Sequence, residues 1–291
     1  MAPAGPVANT AARKRRLQKS LHRLKSHEIV PQLDEGVWGS LGYLSGTDDE
    51  RMGALVRALS SDSPMVWAAR GGYGAMRLLP QLEAELPKGD YGRTLLGFSD
   101  ITALFPLLSR LGFRCIHGPV LTQVGDLVDG GRAGFKALLR VLGGGRSLRP
   151  IKFSSTLSVP EGFLRGPLVG GNLCLSAALC GTRFAPNYEE AILFLEDIGE
   201  PAYRLDRYLT QLELAGVFGD IGGILVGDLG VRGSELQEVE ARLQEISSQW
   251  RMPVATGLPI GHGKRNACLE IGAMVKVEFV QRSGPGRTQC L

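Results

Sequence analysis

Thr94-Leu95-Leu96-Gly97-Phe98-Ser99-Asp100-Ile101-Thr102 carries a short apolar run into a serine and then into a new periodicity. Thr94, Leu95 and Leu96, flanked by Gly92 and Gly97, have the composition of a buried parallel strand. Beyond the serine, Leu104, Leu107, Leu108 and Leu111 fall on one helical face. Ser99 therefore sits on a strand-to-helix turn. Sheets built from such units bind ligands in the loops at the carboxyl ends of their strands.

The same unit recurs on both sides. Upstream, a helix over Arg51 to Leu59 precedes a strand over Pro64 to Ala69. That strand runs into Arg70-Gly71-Gly72-Tyr73-Gly74 and a helix carrying Met76, Leu78, Leu79 and Leu82. Downstream, Arg114-Cys115-Ile116 leads into His117-Gly118-Pro119. The reading is an α/β chain with a Rossmann-like parallel-sheet domain over 1–145. A linker follows over 146–164, within a stretch rich in Gly, Ser and Pro that surrounds a helix from Phe135 to Leu142. A smaller C-terminal α/β domain rich in strands occupies 165–291. There Gly170-Gly171-Asn172-Leu173 opens a helix to Leu179, and the strand Ala191 to Leu195 ends in Glu196-Asp197. Tyr208 to Leu214 is helical, Ile221 to Val226 a strand, and Leu236 to Ile246 a helix. Met252 to Thr256 enters Leu258-Pro259-Ile260-Gly261-His262-Gly263, and Ala273 to Val280 closes the domain as a strand.

Composition sets outer bounds. The chain has 291 residues, 44% hydrophobic and 21% charged, enough to bury a sizeable core. Lys+Arg 33 against Asp+Glu 29 leaves a net charge of +4, much of it from Arg13 to Lys25. Leu17, Leu21 and Leu24 share one stripe of that segment, so its charges form a solvated helix face rather than a nucleic-acid or membrane surface. The 40 glycines favour a site built from loops. Cys115, Cys174, Cys180, Cys268 and Cys290 are scattered, which reads as reduced and mostly buried. No stretch approaches the roughly 20 apolar residues of a membrane helix, and no signal-peptide core stands at the start; the default location is the cytoplasm.

A serine on such a turn has the form of a nucleophile elbow, its hydroxyl beyond the sheet and helix-start amides ready for an oxyanion. The GxSxG pattern is incomplete, since Ile101 replaces the second glycine. Ser99 would equally serve as a helix cap beside Asp100. Candidate bases are His22, His27, His117 and His262. The first two lie in or just after the basic helix, His117 suits either the cleft or a structural bond, and His262 between two glycines has room to meet a partner. Glu196 and Asp197 are the carboxylates for orienting a base; salt bridges to Arg204 or Arg207 would also account for them. Arg70 to Gly74 fails the dinucleotide spacing but can present amides near Ser99, or hold phosphate without catalysis. No HExxH or CxxC suggests a metal.

Together, RGGYG, GFSDITAL, HGP, GPLVGGNL, LFLEDIGEPAYRLDRYLTQL, GILVGD, LPIGHG and LEIGA resemble the LD-carboxypeptidase family of serine peptidases, from about Ala2 to Val280. The resemblance implies a nucleophile at Ser99, a base at His262, and an acid in the LEDIGE block, Glu196 in preference to Glu200. It further implies oxyanion donors at the Gly72 and Asp100 amides. Arg70, Tyr73, Asn172 and Arg204 are the candidate substrate contacts, with Arg70 or Arg204 reading a carboxylate. The implied substrate is a small peptide, the murein tetrapeptide of cell-wall recycling, cut without cofactor or metal by a cytoplasmic homodimer. Nucleotide-antibiotic conjugates are the alternative substrates within the same family. The family's opening strand runs into a VAPAGPV-like block, of which Ala2 to Val7 remain here, so an exposed sheet position is expected.

Overall fold

All four residues of Thr94–Gly97 are buried, as a parallel strand covered on both faces requires. A computed structural model describes residues 1–89, 91–145, 152–153, 155–158, 162–279 and 288–289. The chain begins with α1 (Ala11–Lys25), α2 (Asp48–Ser60), β1 (Met65–Trp67), α3 (Leu79–Glu85) and β2 (Thr94–Gly97). It continues through α4 (Phe105–Leu111), β3 (Arg114–His117), α5 (Phe135–Leu142), β4 (Lys152–Phe153), β5 (Ser155–Ser158) and β6 (Gly162–Asn172). Next come α6 (Leu173–Leu179), β7 (Ile192–Glu196), α7 (Ala202–Leu214), α8 (Val217–Asp220), β8 (Gly223–Val226) and α9 (Ser234–Trp250). Last are β9 (Val254–Thr256), β10 (Leu269–Ile271), β11 (Met274–Phe279) and β12 (Thr288–Gln289). Much of the expected linker, along with Val280 and Cys290, lies outside the described residues.

Two sheets carry the fold. The first has the order β1-β2-β3-β10, its first three strands parallel and β10 antiparallel to β3. The second has the order β11-β6-β7-β8-β9-β5, parallel from β6 to β9 and flanked by antiparallel edges. Parallel-centred sheets are what the alternating periodicity predicts. Periodicity identifies no strand at β10, which is too short to show one. It returns to the first sheet because Leu269 and Ile271 bury there and Glu270 reaches Arg114 at 2.7 Å.

One apolar cluster joins the sheets, running from Leu95, Phe98 and Ile101 to Ile192, Phe194 and Leu225. Burying a side chain the size of Phe194 contributes about 2–3 kcal/mol, so the two sheets are held by a shared core. α1 packs through Leu17 and Leu24 into a separate cluster with Leu96, Ile116 and Val124, with Thr10 accepting from the Arg13 amide at 3.2 Å. Its basic face is anchored. Arg16 and Lys19 reach Asp126 at 3.0 and 2.8 Å, and Arg23 reaches Asp129 at 2.5 Å. The described cysteines are free, Cys115 and Cys268 buried, Cys174 and Cys180 half-buried. Among the described residues no helix is long and apolar enough to cross a membrane.

Candidate active site

Ser99 holds φ +63°, a left-handed conformation that costs a non-glycine residue about 1–3 kcal/mol. Close packing enforces it. A Cβ on Gly97 would stand 2.9 Å from Ile101 Cγ2 and 3.0 Å from Ala68 Cβ, so Ile101 packs directly on the end of β2. That accounts for an elbow with isoleucine where GxSxG has its second glycine. The turn enters a 3₁₀ segment, Ser99–Leu104, whose cap position belongs to Phe98, and the serine hydroxyl caps nothing. Across from it, a Cβ on Gly71 would lie 2.9 Å from Ser99 Cβ and 3.0 Å from Oγ. Only glycine leaves that side chain its space.

The loop after β1 is held from both sides. The buried Asp100 carboxylate accepts from the Ala75 amide at 2.8 Å, and Arg51 Nη1 donates to the Gly74 carbonyl at 2.9 Å and also to that of Pro3. Burial pushes the Asp100 carboxyl up, opposed by the Ala75 amide and by Arg51. The backbone amides of Gly72 and Asp100 have no acceptor among the described residues, which leaves both free for an oxyanion.

The second half of the site is assembled by burial. All five residues of β7 are buried, and Glu196 at its end is 0% exposed. His262 Nδ1 lies 2.9 Å from Glu196 Oε2, within ion-pair distance but without hydrogen-bond alignment. Neither carboxylate oxygen has another partner among the described residues. The His262 loop is clamped by an amide from the first half: Gln123 Nε2 donates to the carbonyls of Gly261 and Gly263, each at 3.1 Å. Asn266 completes the clamp, donating to Gln123 Oε1 at 3.0 Å and accepting from the Gly261 amide at 3.2 Å. Gly261 itself holds φ +131°, and a Cβ there would stand 3.4 Å from Glu196 Oε2.

Phe98 lies under His262 at 4.6 Å, His117 follows at 5.7 Å, and Phe194 stands 4.9 Å beyond it. His117 is fully buried with neither ring nitrogen partnered, and burial lowers it to about 4, so it is neutral near pH 7. It does not line the cleft. Asp197 turns away from His262, accepting from Asn172 Nδ2 at 3.1 Å and from the Cys174 and Ile198 amides at 2.9 and 2.8 Å. Burial nevertheless raises it to about 6. Glu200 binds Arg204 at 2.8 Å. Of the acidic candidates, Glu196 is the one that meets the imidazole.

A cavity of about 430 Å³ opens over Ser99 and His262, with Arg16, Arg70, Gln123 and Asn172 in its wall. A larger one of about 900 Å³ beside β1 contains neither. Arg70 is half-buried, bonds the Pro6 carbonyl at 3.2 Å, and is lowered by burial and by Arg13 and Arg16. Asn172 reaches the cavity, yet its side chain is committed to Asp197 and, at 3.1 Å, to the Leu175 amide. Tyr73 is exposed and packs on Tyr43 at 5.4 Å; Arg204 is held on α7 by Glu200; neither lines the cavity. Arg16, Gln123 and Asn266 are the polar groups that sequence reasoning missed. Arg16 read as solvated charge, and nothing local marks the two amides. Among the described residues no group of three His, Cys, Asp or Glu could hold a metal ion.

Comparison with known proteins bears on this site. Models of the LD-carboxypeptidase N-terminal and C-terminal domains match residues 1–118 and 165–277. The murein tetrapeptide carboxypeptidase of Pseudomonas aeruginosa is 32% identical over 291 residues, covering 96% of this chain and 92% of that protein. The crystal structure of muramoyltetrapeptide carboxypeptidase from Oxalobacter formigenes superposes with a TM-score of 0.81 at 28% identity, covering 99% and 96% of the two chains. MccF in complex with glutamyl sulfamoyl guanosine shares the fold, with a TM-score of 0.78 at 20% identity over 96% and 91%.

Proposed function

Because the chain belongs to the LD-carboxypeptidase family and is a serine-type carboxypeptidase, we propose that it removes the terminal D-alanine of a murein tetrapeptide. The observation that carries the reading is the 2.9 Å contact of His262 with Glu196 beside the cavity that Ser99 enters. Ser99 Oγ attacks the carbonyl of the L,D-amide while His262 Nε2 takes its proton. Glu196 fixes the tautomer and stabilises the imidazolium. The Gly72 and Asp100 amides receive the oxyanion, each such donor contributing about 10²–10³ in kcat. His262 then protonates the leaving D-alanine amine, and water, deprotonated by the same ring, clears the acyl-enzyme. No cofactor enters these steps.

Arg16 and Arg70 supply the positive charge that a free terminal carboxylate requires. Arg204, the other candidate, stands outside the cavity wall. The family resemblance also implies a cytoplasmic homodimer acting on a recycled peptide.

Mass spectrometry of the protein with L-Ala-γ-D-Glu-meso-diaminopimelyl-D-Ala, beside Ser99→Ala, tests the proposal. D-Alanine release should fall by about 10³-fold or more in the variant. The C-terminally amidated peptide should lose about 10–100-fold in kcat/KM. Equal release by parent and variant removes Ser99 as nucleophile. Silence of both redirects the search to aminoacyl nucleotide conjugates.

A further inference from the structure

The nucleophile and the acid stand on different sheets, so something must set their relative position. The 3₁₀ segment that Ser99 opens brings residues three apart onto one line, and three residues beyond Ser99 stands Thr102, 2% exposed. Its Oγ1 accepts a 3.0 Å hydrogen bond from the backbone amide of Asn172, the last residue of β6. Asn172 is the ladder partner of Glu196 across the β6–β7 pair. The fit leaves no slack. Gly171 holds φ +139°, and a Cβ there would stand 2.6 Å from Thr102 Oγ1 and 2.9 Å from its Cγ2.

Resting on the triad reading, we propose that Thr102 is a positioning residue. Its hydroxyl ties the nucleophile's segment to the strand position beside Glu196 and thereby sets the distance between Ser99 and the Glu196–His262 pair. Thr102 does not line the cavity over Ser99. Without the bond a buried amide loses its acceptor, and the join between the end of β6 and the elbow segment rests on packing alone. A displacement of about 1 Å at reacting groups is enough to cost up to 10² in rate.

Thr102→Val keeps the shape and removes the acceptor; Thr102→Ser restores it. We expect kcat on the tetrapeptide to fall about tenfold or more in the valine variant, with KM within about twofold and the serine variant near the parent. Retained kcat in Thr102→Val overturns the proposal. So does a loss confined to KM, or a serine variant as impaired as the valine one. Thr102→Ala, which adds no bulk, serves if valine disturbs folding, with the same loss expected and the same retention overturning it. Amide exchange at Asn172 reads the tie without any substrate and should quicken about tenfold in Thr102→Val. Unchanged exchange overturns the tie, whereas a parent silent on tetrapeptide with quickened exchange strikes the substrate reading alone.

Discussion

Ser99 and Glu196 each stand at the carboxyl end of a parallel strand, yet they are held in opposite ways. Ser99 depends on backbone: a left-handed turn, and glycines at 71 and 97 whose missing side chains make the room. Glu196 depends on burial, a carboxylate closed off from water with one imidazole for company. A substitution should therefore damage the first half through geometry and the second through charge.

The largest effect expected from this contrast is at Glu196→Gln. The shape survives, but the amide cannot stabilise an imidazolium, so kcat should drop by about 10³–10⁴ with little change in melting temperature. A drop below tenfold, measured in the same D-alanine assay, would break the comparison. Next comes Gly71→Ala, whose added methyl must displace Ser99. We expect about a 10² loss in kcat, and a variant with parental kcat would show that the elbow has slack.

The smallest effect sharpens the burial side. His117 takes a proton near 6.5 when unfolded but only at about 4 when folded, so the unfolded state binds more protons as pH falls between those values. Its burial thus removes stability over that window. Asp197, raised to about 6 when folded, binds protons more tightly in the native state and offsets the trend. Replacing His117 with Phe should raise stability relative to the parent by about 2 kcal/mol more at pH 5 than at pH 7.5. Urea unfolding at both values checks this, and a difference independent of pH refutes the assignment.

The contrast also explains what could be read in advance. The run of Thr94 to Leu96, the glycine before Ser99 and the acids ending the Ile192 strand are local signals, because strand endings and tight turns are encoded by neighbours in sequence. Gln123, Asn266 and Thr102 left no such trace. Gln123 and Thr102 act through hydrogen bonds to backbone far along the chain, and Asn266 through Gln123 and the nearby Gly261 amide; an isolated amide or hydroxyl has no periodicity. Asn172 illustrates the limit differently. Beside two glycines it reads as a ligand contact, whereas its side chain is spent capping α6 and holding Asp197. Arg16 is the converse, a charge on a basic face that the packing of α1 brings to the cavity.

β10 gives the molecule a timetable. The first sheet contains β1 to β3 early in the chain, but its fourth strand lies about 150 residues later. At a synthesis rate of about 5–20 residues per second, that interval lasts on the order of ten seconds on the ribosome. Glu196 and His262 also arrive within it. A nascent chain thus carries Ser99 throughout that interval before Glu196, His262 and the last strand of the first sheet are all present.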